Sequence, residues 1–225
     1  MSYSNGPRII TDGLVLCMDA ANTKSYPGTG TSVTDLTNIN SLLLENTPTF
    51  NSQNGGSFVL DGVNNRIKIT CASNTIRCYN STSQFIVKVT ETNVGQRCMF
   101  SYRSNGGQMY VGVSARKIFT YHNTLNTAAY TDGSLLSNTL AICHVVCDAT
   151  NNMLYHYING ALVNSGVSRT GWWTGYNTIF YLGYDAGGTN EYMGGNFYQF
   201  AHYNKVLSSS EILQNYNAIK GRYSL

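Results

Sequence analysis

Four glutamates are the first place to look for acid–base chemistry: Glu45, Glu91, Glu191 and Glu211. Hydrolysis of a glycosidic bond with retention needs two carboxyl groups about 5–5.5 Å apart. On a strand such a pair stands four residues apart and shares a face. None of the four glutamates has a carboxylate partner at that spacing. Glu211 has another use. It follows Ser208 by three residues and completes a capping box, each side chain satisfying a backbone N–H that a helix leaves open. Asp185 and Glu191 form a non-local pair on neighbouring turns, with nothing in their spacing to recommend it. The histidines make no His-Glu-x-x-His pair, and no Gly-x-Ser-x-Gly elbow occurs. The chain is read as a non-enzyme without a cofactor.

The six cysteines, at positions 17, 71, 78, 98, 143 and 147, contain no Cys-x-x-Cys. Cys143 and Cys147 share a strand face but lie roughly 13 Å apart at strand rise, too far to pair. Cys71 and Cys78 flank a polar loop and would pair only in an oxidising medium. Buried or inert thiols are the preferred reading.

Two stretches offer binding chemistry instead. In Arg169–Asn177 both tryptophans, Trp172 and Trp173, stand together between glycines, with Tyr176 near them. Neighbours on a strand point to opposite faces, so one indole is expected in the core and the other outside. The exposed ring would anchor a protein partner, as Trp, Tyr and Arg do at interface hot spots. It would alternatively cover the rim of the fold or, third in order, stack on a sugar with Asn177 or Arg169 supplying hydrogen bonds. The second stretch, Asp61, Asn64 and Asn65, is an oxygen-rich turn with the donor types that calcium takes. So few carboxylates favour turn residues that bond their own backbone over a calcium site.

The elements that must position these groups are mostly strands. Residues 8–19 are read as a first strand with Leu14 and Leu16 on one face, and 22–40 as a long surface loop. Ser41–Glu45 is read as a short buried strand. Arg66–Thr70 places Ile67 and Ile69 inward and Lys68 outward; Gln84–Thr90 alternates in the same way. Cys98–Tyr102 pairs with Met109–Val113, and the apolar run Leu140–Cys147 is central. Asn159-Gly160, between two alternating runs, is the signal of a type I′ hairpin. Phe200 and His202 alternate with Ala201 and Tyr203, and the chain then turns into the only helix, begun at Ser208 and apolar at Ile212 and Tyr216. That helix is expected to close the open end or edge of a sheet sandwich. Short strands at regular spacing with turn signals between them give an all-β, two-sheet antiparallel sandwich in one domain, residues 1–225, with 1–8 as an extended arm.

Charged residues are only 11% of the chain, and the net charge of +3 comes from scattered Lys and Arg. Nucleic-acid binding wants a clustered basic footprint, and none is visible. The N-terminus has no apolar signal-peptide region, and no run is long enough to span a membrane. The protein is expected in a cytoplasm until something such as lysis releases it.

Gly13-Leu14-Val15-Leu16-Cys17-Met18-Asp19-Ala20-Ala21-Asn22, Gly55-Gly56-Ser57-Phe58-Val59-Leu60-Asp61-Gly62 and Tyr203-Asn204-Lys205-Val206-Leu207-Ser208 carry a resemblance over roughly the whole chain. They resemble laminin-G-like, concanavalin A-like jelly-roll domains of the kind found in tailed-bacteriophage virion proteins. The resemblance implies a jelly roll and a virion surface location, as a capsid decoration or appendage protein. Its partners would be other virion proteins, such as the major capsid protein, with the protein oligomeric on the particle. A glycan-binding adhesin is the alternative, since this fold hosts lectins, glycosidases and structural modules alike.

Overall fold

The computed structural model describes residues 7–72, 75–90, 95–104, 107–122, 129–130, 135, 137–164, 167–168, 172, 178–187 and 191–225. Most of the expected N-terminal arm lies outside them. In chain order the strands are β1 (Leu14–Asp19), β2 (Ser32–Thr34), β3 (Ser41–Glu45), β4 (Thr49–Asn51), β5 (Ser57–Asp61) and β6 (Arg66–Thr70). They continue as β7 (Ser81–Val89), β8 (Arg97–Ser104), β9 (Gly107–Ser114), β10 (Lys117–His122), β11 (Ala129–Tyr130) and β12 (Leu140–Asp148). The last are β13 (Met153–Ile158), β14 (Ala161–Leu162), β15 (Val167–Ser168), β16 (Ile179–Leu182) and β17 (Gly194–Tyr203), followed by α1 (Ser209–Ile219) and one 3-10 turn, Lys220–Tyr223.

Every strand pairing is antiparallel, in two sheets. Sheet I has the order β14-β13-β12-β7-β17-β5-β4, with β1 on β17 and β15 on β13; sheet II runs β11-β10-β9-β8-β16-β6-β3-β2. The inner faces enclose one large apolar core that includes Leu16, Phe85, Phe100, Val145, Phe180 and Phe200. Phe100 lies at its centre, stacked on Phe180 at 5.8 Å and close to Phe85 and Phe200.

Local chemistry explains many of these elements. Ile67 and Ile69 are buried and Lys68 faces out, as the alternation requires. Asn159 and Gly160 both have positive φ, 51° and 79°, the geometry of a type I′ turn whose twist matches the flanking strands. The Asn159 side chain also accepts from the Ile142 N–H at 3.0 Å and ties the hairpin to β12.

Three expectations change. Leu14 and Leu16 face opposite sides of sheet I, because the register of β1 on β17 slips between them. The extra residue, Val15, is a bulge, and one inserted residue flips every later side chain. Ser41–Glu45 is half-buried: Leu42 and Leu44 are inside and Leu43 is 41% exposed. The 22–40 loop contains a short strand, β2, and its following turn is held by one buried carboxylate, Asp35.

The helix is correctly begun but differently placed. Ser208 caps it, accepting from the Glu211 N–H at 3.3 Å, while Glu211 Oε2 accepts from the Ser208 N–H at 2.8 Å. Lys205 adds an ion pair to Glu211 at 2.7 Å. The helix does not close an end or edge of the sandwich. It lies on the outer face of sheet I. Ile212 packs with Val146, Tyr157, Ala201 and Tyr203, and Ile219 with Ile86, Ile142 and Tyr198. These outward residues are apolar because they are covered, so β7, β12 and β17 are buried on both faces. Ser208→Ala is expected to cost about 1 kcal/mol in urea unfolding; an unchanged midpoint would mean that packing alone sets the helix start.

Candidate functional site

With the outer face of sheet I covered, the outer face of sheet II is, among the described residues, more exposed at Leu43, Lys68 and Tyr181, while Ser101 and Tyr110 are buried. Register places Leu43, Lys68, Tyr181, Ser101, Tyr110 and Tyr121 in one row across six strands, β3 to β10. Their side chains point away from the core because each alternates with inward residues such as Ile67, Ile69 and Phe180.

The row is overlaid by residues 183–187 and 191–193. Gly183 takes φ +78°, which a side chain would resist. It donates to the Met99 carbonyl at 3.1 Å and accepts from the Met193 N–H at 3.0 Å, joining the two segments at their base. Ser101 Oγ and Cys98 Sγ donate to the Tyr184 carbonyl at 2.6 and 3.1 Å, and Ser101 Oγ accepts from the Ala186 N–H at 2.8 Å. Tyr184 and Tyr192, one from each of these two segments, are stacked at 4.7 Å between ring centroids.

Arg66 completes an aromatic platform. Its guanidinium carbon is 5.1 Å from the Tyr181 ring centre and 4.7 Å from that of Tyr184. Its Nε donates to Glu45 Oε2 at 2.7 Å, and Lys68 Nζ lies 3.8 Å from Glu45 Oε1. Burial alone would weaken the hold of Arg66 on its proton; the Glu45 carboxylate outweighs it and raises the pKa. Tyr181, Tyr184 and Tyr192 are all half-buried, which leaves ring surface and polar edges for a partner. Beyond them Tyr110 stacks on Phe119 at 5.0 Å. Gly112 lies under that stack, where a Cβ would stand 2.6 Å from Tyr110 Cε1 and from the Arg97 carbonyl oxygen.

The residues singled out from sequence stand elsewhere. Trp172 is half-buried against the core, and its indole N–H donates to Asn152 Oδ1 at 3.2 Å. Arg169, Trp173, Tyr176 and Asn177 lie outside the described residues. Asp61, Asn64 and Asn65 come together as a self-bonded turn. Asp61 Oδ1 accepts from the N–H groups of Val63, Asn64 and Asn65 at 2.9–3.0 Å. Burial acts to raise its pKa, but these three donors prevail and lower it. The Asn65 amide is used on the Asn46 carbonyl. Among the described residues no group of three or more His, Cys, Asp or Glu is arranged to hold a metal.

The platform itself was not singled out. Its signal was present in part: Arg66 and Lys68 alternate with two isoleucines, so they had to face outward together.

Nucleophile chemistry finds little support. All six cysteines are buried, and none is in a disulfide. Burial pushes Cys71 up to about 11 and Cys143 up to about 12, so both are thiols at neutral pH. Ser83 Oγ meets His202 Nδ1 at 2.9 Å, but the pair is fully buried and Nε2 faces the Arg77 carbonyl, without a carboxylate.

Comparison with known proteins agrees with this architecture. No curated protein sequence matches the chain. Among solved structures, domain 4 of AbnA, a GH43 extracellular arabinanase from Geobacillus stearothermophilus, in complex with arabinotriose, is 15% identical with a TM-score of 0.67, covering 90% of this chain and 97% of that one. The botulinum neurotoxin serotype G binding domain is 14% identical (TM-score 0.71), with 90% and 50% covered. Trypanosoma rangeli sialidase is 17% identical (TM-score 0.68), with 94% and 33% covered. The chain thus spans about half of the toxin domain and a third of the sialidase. At these identities the likeness is one of fold. The family model for the concanavalin A-like lectin/glucanases superfamily matches residues 61–213, from the end of β5 into α1, and the chain belongs to that family.

Proposed function

We propose that this protein is a non-enzymatic recognition module that binds glycans on the outer face of sheet II. The observation that carries this reading is the half-exposed platform of Tyr181, Tyr184 and Tyr192 around Arg66, on the outer side of sheet II, opposite the helix-covered side of sheet I. Aromatic faces stack on the apolar faces of sugar rings, and the Arg66 and Glu45 edges supply hydrogen bonds. The arabinotriose bound to the arabinanase domain supports the ligand class, as does the SialylT complex of a botulinum neurotoxin DC binding domain. Tyr184→Ala is expected to weaken binding of any glycan found on an array by at least about tenfold, roughly the 1.4 kcal/mol of one lost stacking contact, with folding unchanged. Unaltered binding by Tyr184→Ala would move the site elsewhere, first to the Trp172 stretch.

We place the module on the surface of a tailed-phage particle, as a decoration or appendage protein in contact with other virion proteins. The support is the resemblance of the stretches at both ends of the chain to virion proteins. Cryo-electron microscopy of particles containing the protein tests this: density at capsid lattice positions or on appendages is expected, and particles lacking the protein would refute it.

A further inference from the structure

The outward residues of β2, β3, β6 and β16 stand in rows across the strands. The middle row is Ser32, Leu43, Lys68 and Tyr181, one residue from each strand. Along one side of it run Thr34, Ser41, Thr70 and Ile179. On the other side stand Glu45 and Arg66. Leu43 is 41% exposed and Ile179 36%, two large apolar side chains on the same face. Ser32, Thr34, Ser41 and Thr70 are exposed beside them. Lys68 Nζ lies 3.8 Å from Glu45 Oε1, so its charged head is drawn off the middle row and its apolar stem stays in it. At Tyr181 the row meets the platform, where the Tyr181 and Tyr184 ring centres are 5.3 Å apart, edge to face. An apolar lane thus leaves the platform, with hydroxyls along one side and an ion pair on the other.

We infer that this lane extends the platform and that the ligand is a linear oligosaccharide of at least three units, laid across the strands from Tyr184 to Leu43. This rests on the glycan reading of the same face. Neighbouring strands are about 4.7–4.9 Å apart, close to the length of one sugar ring in an extended chain. Leu43 and Tyr181 stand two strands apart, with Lys68 between them, which gives room for two units. Tyr184 adds a place for a third. A sugar ring has apolar C–H faces and hydroxyl edges, and the lane has the same division: apolar along its middle, polar at both sides. A protein partner fits this face less well, because Lys, Glu and Ser are depleted at the cores of protein interfaces.

The test is a chain-length series: linear arabino-, xylo- and gluco-oligosaccharides of one to six units, titrated by calorimetry. In the series that binds, affinity is expected to rise at least about tenfold from one unit to three or four, and then to level off. Leu43→Ala should weaken chains of three or more units at least about threefold and leave one and two units unchanged. Tyr184→Ala should weaken every length. Thermal melting checks that both variants fold. A single sugar bound as tightly as the longer chains, or long chains bound by Leu43→Ala as by wild type, would overturn the lane. Binding confined to branched or sialylated glycans on an array would overturn it too, and would leave the platform standing. A folded wild-type protein that binds no glycan would overturn the platform reading itself, a separate result.

Discussion

Acidification from pH 8 to about 4.5 is expected to remove about 5 kcal/mol of folding stability, through two buried histidines. His144 lies between sheet I and α1. Its ring meets Gln84 Oε1 at 2.9 Å, and Gln84 in turn accepts from Asn215 of the helix at 3.2 Å. His202 lies inside the sandwich, against Ser83 and the Arg77 carbonyl. Burial lowers the pKa of His144 to about 3. Burial also lowers His202, to about 4, with the Arg77 carbonyl partly opposing it.

A depressed histidine pKa means that the native state refuses a proton which the unfolded chain accepts. The contribution to stability is therefore complete above the unfolded pKa, about 6.5, and shrinks as pH falls towards the folded value. Two pH units below 6.5, each ring has lost roughly 2–3 kcal/mol. Asp61 and Glu211, whose pKa values are lowered, lose their contributions only near and below the ordinary carboxylate range and add little inside this window. Urea titrations at a series of pH values measure the slope, and His144→Gln should roughly halve it. Equal stability at pH 7 and 4.5 would show that water reaches both rings. Against a typical total of 5–15 kcal/mol, a loss of about 5 would bring the domain close to unfolding.

Asp35→Ala is expected to destabilise the protein by at least about 3 kcal/mol. Asp35 is 1% exposed. Its Oδ1 accepts from the Cys17 N–H at 2.9 Å and the Thr37 N–H at 3.0 Å. Its Oδ2 accepts from the Thr37 hydroxyl at 2.6 Å, the Asn40 amide at 2.7 Å, and the N–H groups of Asn40 and Ile39 at 3.1 and 3.3 Å. One carboxylate thus closes the 35–40 turn and joins it to β1. Alanine leaves the buried Cys17 N–H without that acceptor and opens the turn. Asp35→Asn separates charge from geometry: it keeps one oxygen but turns an NH2 group towards the donors around Oδ2, so it should cost nearly as much. A denaturant midpoint within about 1 kcal/mol of wild type, at unchanged m-value, would mean that water replaces the carboxylate.

Some of this was legible residue by residue. Asn159-Gly160 is a hairpin because two adjacent residues tolerate positive φ. Ser208 and Glu211 start a helix because their side chains reach each other's backbone three residues apart. Ile67 and Ile69 face inward because strand side chains alternate. The Val15 bulge was not legible: it comes from pairing with β17, and no local signal marks a register slip. Trp172 drew attention by its residue type, yet its ring is spent largely on the core. Tyr181, Tyr184 and Tyr192 look ordinary in sequence, and only the closed base at Gly183 and Met193 brings two of them face to face.

The sequence by itself determined most of the strands, the hairpin, the capped helix and the lack of locally spaced glutamate pairs. Each depends on residues within one turn or strand of one another. Only the tertiary structure decided which sheet face the helix covers, that Asp35 is a hub, and that Arg66 from β6 sits over tyrosines of β16 and the turn after it. Alternation tells that a strand has two faces. It does not tell which face is buried or which distant strand lies alongside, because register is set by packing across the whole sandwich.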